Sequence, residues 1–168
     1  MGLLQRIFHI PTSEERNGAH LDLSKLYWIL EGKTTFPHFL HALCRFAPEG
    51  SILCLEDGSP IGSLKQFLDE KSIPEQLHIA LGTLWPMPVC FHIPATPDNL
   101  AQLAELVSER IPPEVASHVH LYARNSVVLE WHDAFDQDMY IDGAVDKESV
   151  RSFADALSMT LRLSDSNG

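Results

Sequence analysis

Positive charge is scarce in this chain. Only 12 Lys and Arg stand against 23 Asp and Glu, a formal net charge of −11. Binding to nucleic-acid phosphates takes clustered cations, and none cluster here, so DNA and RNA are not expected partners. Acidic excess keeps a protein soluble and suits a module that neutralises a basic partner. Cysteine is sparse too. Cys44, Cys54 and Cys90 are odd in number, widely spaced and form no CxxC pair. That excludes a zinc ribbon or a disulfide scaffold and fits a reducing compartment. Cys44 falls on the apolar side of a helix and Cys54 inside a strand, so both read as small buried hydrophobes.

No stretch approaches the roughly 20 apolar residues of a membrane span. The opening MGLLQRIFHIP lacks the apolar core and cleavage site of a signal peptide, and Arg6 stands where a myristoylation motif needs Ser or Thr. The expectation is a cytoplasmic protein with no membrane contact. GxGxxG, the P-loop, GxSxG and HExxH are all missing. Glu56 to Ser63, EDGSPIGS, has glycines between a strand and a helix, but it lacks the lysine that a P-loop needs and two acids guard its entrance. It reads as a turn and helix start rather than a phosphate cradle. There is no internal repeat.

What is present is a strong pattern of apolar residues, 45% of the chain, in a length suited to one domain. The clearest stretch is Ser117 to His132, SHVHLYARNSVVLEWH, two alternating strands joined by a tight turn. A three-residue loop from Arg124 to Ser126, with Asn125 or Ser126 left-handed, sets Ala123 against Val127, Leu121 against Leu129 and Val119 against Trp131. The other face then pairs Tyr122 with Val128, His120 with Glu130 and His118 with His132. The apolar face is expected to pack on helices and the histidine face to be open.

Around this hairpin the chain reads in order. Residues 1–22 form an N-terminal extension, docked or partly ordered. A strand spans Leu26 to Glu31. A helix capped by Thr34 or Thr35 follows, its stripe made by Phe36, Phe39, Leu40, Leu43, Cys44 and Phe46. Ile52 to Glu56 is a strand, and a helix runs to about Lys71. Gln76 to Thr83 and Val89 to Ile93 read as strands around the apolar loop LWPMP. Thr96-Pro97-Asp98 opens a helix that Pro112-Pro113 stop. Met139 to Ile141 adds a short strand. Asp146 caps a last helix whose stripe, Val150, Phe153, Ala154, Leu157 and Leu161, closes a single domain over 23–163. Residues 164–168 are expected to be a disordered tail. The order implies an α+β fold: a two-layer sandwich with a mixed or mostly antiparallel sheet and about four helices gathered on one face.

Two surfaces carry functional expectations. Trp85 and Met87, set between prolines, lose little entropy on binding and are the interaction candidates. They suit a non-enzymatic binding or regulatory domain that self-associates or meets a protein partner. His118, His120, Glu130 and His132 would share one face of two paired strands, close enough to ligate one divalent metal ion. They suit the alternative, a metal-dependent enzyme. His78 and His92 join that cluster if their strands are adjacent. Cys90 with His92, and Cys44 with His41, lack the third group that a cysteine nucleophile needs.

Overall fold

The computed structural model describes residues 18–83, 85–134 and 136–164. The apolar stripes become five helices and the alternating stretches seven strands, in the order β1 (Tyr27–Glu31), α1 (Phe36–Phe46), β2 (Ile52–Glu56), α2 (Gly62–Lys71), β3 (Cys90–Pro94), α3 (Pro97–Leu106), α4 (Pro112–Val115), β4 (His118–Ala123), β5 (Ser126–Trp131), β6 (Met139–Asp142), α5 (Lys147–Leu157) and β7 (Thr160–Leu163). The strands form one sheet, ordered β3-β2-β4-β5-β6-β1-β7. Every strand pair is antiparallel. The fold is α+β. No helix among the described residues is long and apolar enough to cross a membrane.

Helix boundaries follow the local chemistry. Thr35 accepts from the His38 N–H, Thr96 from Asn99 and Asp146 from Ser149, each satisfying an amide that the helix start leaves unpaired. Pro37 and Pro97 occupy first-turn positions where no N–H is needed.

One face of the sheet carries the main core. Leu53, Leu55, Val119, Leu121, Leu129, Trp131, Met139 and Ile141 meet the buried stripes of all five helices there. Trp131 lies 5.3 Å from Phe39, centroid to centroid, and its indole N–H donates to the Gln137 carbonyl at 3.0 Å. A buried tryptophan thus keeps its polar atom satisfied.

The hairpin keeps the expected central register: Val119 opposite Trp131, His120 opposite Glu130, Leu121 opposite Leu129. Its tip differs. The turn is shorter, Arg124 takes the left-handed conformation (φ +57°), and a bulge between Leu121 and Tyr122 sets Tyr122 against Val127 and Ala123 against Ser126. The bulge is why Val128 joins the helix-side core while Val127 joins the opposite one.

Two other segments depart from expectation. Gln76 to Thr83 is not a strand; its β-type pairing is one isolated parallel bridge, Ala19 to Ile79. The last helix stops at Leu157, where Ser158 turns left-handed (φ +57°), and β7 begins at Thr160, so Leu161 lies on an edge strand. Ser164 belongs to that docked end rather than to a free tail: it is buried, and its N–H donates to the Tyr27 carbonyl at 2.8 Å. Residues 1–17 and 165–168 of the expected extension and tail lie outside the described residues.

Candidate functional site

The second face of the sheet is polar in sequence yet buried in the fold. Alternation puts Ile52, Cys54 and Glu56 of β2, Cys90 and His92 of β3, His118, His120 and Tyr122 of β4, and Glu130 of β5 on that side. The expected open face is therefore a correction. His118 is 7% exposed, His120 0% and Glu130 1%. Residues 18–23 and 73–83 cross over the sheet and bring Leu21, Ile73, Leu77 and Ile79 onto it as a second, smaller apolar cluster. Alternating polar residues read as solvent-facing because sequence cannot show that they satisfy one another beneath an irregular cover.

Satisfaction is specific. His120 Nε2 lies 2.9 Å from Glu56 Oε2. A carboxylate only accepts, so Nε2 carries the proton and donates. Glu56 also accepts from the Gly82 N–H at 3.0 Å and the Thr83 N–H at 2.7 Å. Burial pushes its carboxyl up, but the bonds from His120, Thr83 and Gly82 outweigh burial and leave it below the usual carboxylate range. Glu130 Oε1 accepts from the Leu21 N–H at 3.3 Å, and Oε2 lies 3.4 Å from His132 Nε2. Each carboxylate thus ties the sheet to the cover. His118 Nδ1 accepts from the Asp133 N–H at 3.0 Å, and burial pushes this imidazole down, toward the neutral form.

His118, His120, Glu130 and His132 do come together: the His132 ring lies 5.5 Å from His118 and 5.4 Å from His120. His120 Nδ1 faces Glu130 Oε1 at 4.0 Å and has no hydrogen-bond partner among the described residues. His118, neutral and accepting at Nδ1, keeps its proton on Nε2 and so offers no lone pair there. Among the described residues no group of three or more His, Cys, Asp or Glu side chains is placed to hold a metal ion. His92 joins the same face but bonds Tyr122 Oη at 3.0 Å, and burial lowers it. His78 does not join; it is exposed and bonds Glu75.

Glu56 is a buried partner that the sequence hides, because beside Asp57 it reads as part of an acidic turn. The signal lay in ILCLE, where residues 52, 54 and 56 share a face.

Trp85 and Met87 lie far from such satisfaction. Trp85 is 87% exposed, Met87 82%, and Val89 59%. Elsewhere, an open groove between α1 and α5 is lined by His38, His41, Arg45 and Glu148 among others. Comparison with protein families, with curated proteins and with solved structures gave no match.

Proposed function

We propose that this chain is a non-enzymatic, acidic binding module of the cytoplasm that self-associates through the loop from Trp85 to Val89. One observation carries the reading: a tryptophan and a methionine stand almost wholly in water on a five-residue, two-proline loop. Exposed aromatic anchors on stiff segments are the usual centres of protein contacts, because they bury large area at small entropic cost. The histidine face, the other surface that the sequence offers for contacts, is occupied by the chain's own cover.

The alternative is a metal-dependent enzyme at His118, His120, Glu130 and His132. It asks those side chains to give up hydrogen bonds they already make. Size-exclusion chromatography with light scattering separates the two readings. The module reading expects concentration-dependent association that Trp85→Ala and Met87→Ala each weaken, with an unchanged circular dichroism spectrum. It also expects no response to chelator. A monomer at every concentration, or an assembly and melting temperature that follow added zinc, would sink it.

A further inference from the structure

Two of the three cysteines are neighbours on the polar face of the sheet. The antiparallel register sets Cys54 of β2 opposite His92 and Cys90 of β3 opposite Glu56. Cys54 and Cys90 are therefore diagonal partners on one face, and both pack in the smaller apolar cluster. Both side chains leave the sheet on that face, so the two thiols influence one another's ionisation. Their surroundings differ: Cys54 is buried, whereas Cys90 is partly exposed. Cys44 stands apart on α1.

We propose that Cys54 and Cys90 are a redox-active dithiol, closing reversibly to a disulfide on reaction with a low-molecular-weight disulfide. Cys90 thiolate attacks one sulfur of that oxidant, whose sulfur–sulfur bond breaks and releases one thiolate. Cys54 then gives up its proton to solvent and attacks the Cys90 sulfur, expelling the second thiolate. The protein loses two hydrogens, two protons with two electrons, and the oxidant becomes two thiols.

The pair divides these roles. The neighbouring Cys54 thiol holds the Cys90 thiol below its ordinary value, although burial and the carboxylates of Glu56, Glu75 and Asp57 push it up. The same pairing, together with burial, keeps Cys54 protonated. The reachable sulfur is the better thiolate, and the hidden one is held in reserve to resolve.

Geometry makes the bond labile. Diagonal neighbours in an antiparallel pair are about 7–8 Å apart, whereas a relaxed disulfide wants Cα atoms within about 7 Å. Closure across a diagonal pair therefore asks for a small backbone shift at Cys90. The fold allows it: β3 is an edge strand and Cys90 its first residue, directly after the 85–89 loop. A disulfide closed against such displacement is easily reduced, unlike a structural cross-link.

The test uses the full chain, treated with excess glutathione disulfide, then denatured and alkylated for intact mass and peptide mapping. Alkylatable thiols should fall from the three of the free chain to one. The map should join Cys54 to Cys90 and leave Cys44 free, and dithiothreitol should restore all three. Cys54→Ser, or Cys54→Ala should the serine disturb the core, should stop with glutathione on Cys90. Cys90→Ser should take up none at Cys54. Circular dichroism establishes that each variant is folded, and the wild-type map alone decides the pairing. Retention of three thiols, a link involving Cys44, or glutathione that stays on wild-type Cys90 each overturns the proposal.

Discussion

His120 Nε2 donates to Glu56 Oε2 across 2.9 Å, and neither side chain has any contact with solvent. Taking both groups out of water is costly, and the pair persists because Glu56 gains two further bonds from the cover. Removing one partner strands the others. Glu56→Ala should lower stability by about 3–5 kcal/mol. Glu56→Gln keeps one oxygen, which can still accept from Gly82 and His120 while the Thr83 N–H loses its acceptor, and should lose less, about 1–3 kcal/mol. Urea titration of the two variants measures both. Equal and negligible losses would show that the pair is dispensable.

Stability should fall in two stages on acidification. His92 and His118 are held below their ordinary value of 6.5 by burial. Unfolded, they bind protons that the folded state refuses, so stability is full above pH 6.5 and declines as pH falls toward their folded values. Glu56 is held below 4.5 in the folded state. Its contribution is present above pH 4.5 and is lost as pH falls through the folded value. Melting temperatures recorded from pH 8 to pH 3 should show both declines. His92→Gln combined with His118→Gln should flatten the first and spare the second. A profile flat from pH 8 to 5 in the wild type would contradict the burial of these imidazoles.

Gly82 is packed too closely to carry a side chain. A Cβ there would lie 2.8 Å from the His118 ring, itself pinned by the Asp133 N–H. Gly82→Ala should therefore displace the ring or the cover and lower stability by about 1–3 kcal/mol. Gly50, where a Cβ meets nothing within 4 Å but φ is +77°, provides a contrast in which only backbone conformation is perturbed. Thermal melts of both variants, with the His118 and Asp133 resonances followed by NMR, distinguish crowding from conformational strain. Unmoved His118 signals in the Gly82 variant would refute the crowding.

Sequence made α1, α3 and α5 legible because each carried an apolar stripe and an oxygen cap, whereas α2, with Ile61 at its N-cap, carried a stripe alone and α4 is a single turn begun by the prolines that read as a stop. It made the centre of the hairpin legible because only one register matched Val119 with Trp131 and Leu121 with Leu129. The hairpin tip escaped. Val127, Val128 and Leu129 are three apolar residues in a row, and alternation alone does not tell which of them a bulge will turn over. Thr160 to Leu163 escaped because Leu161 happened to continue the helical spacing of α5. The largest misreading came from period-two polarity in β4 and β5. A histidine that alternates with valine looks solvated whether its partner is water or a carboxylate. The partner was Glu56, 64 residues away along the chain. For Trp85 the sequence left two readings, a contact residue or a core residue of its own domain, and the exposure of Trp85 and Met87 is read from the structure.

The segments that roof the histidines are fastened differently from the sheet beneath them. Among the described residues two backbone bonds at Ala19 join the segments to one another and the Ile73 N–H donates to the His92 carbonyl of the sheet, while the amides of Leu21, Gly82 and Thr83 hang from the carboxylates of Glu130 and Glu56. A strand ladder is indifferent to protons, whereas a carboxylate clasp is not. Protonation of Glu56 should therefore loosen its hold on Gly82 and Thr83 before it disturbs the ladder, and bring water to the buried imidazoles from the roof side.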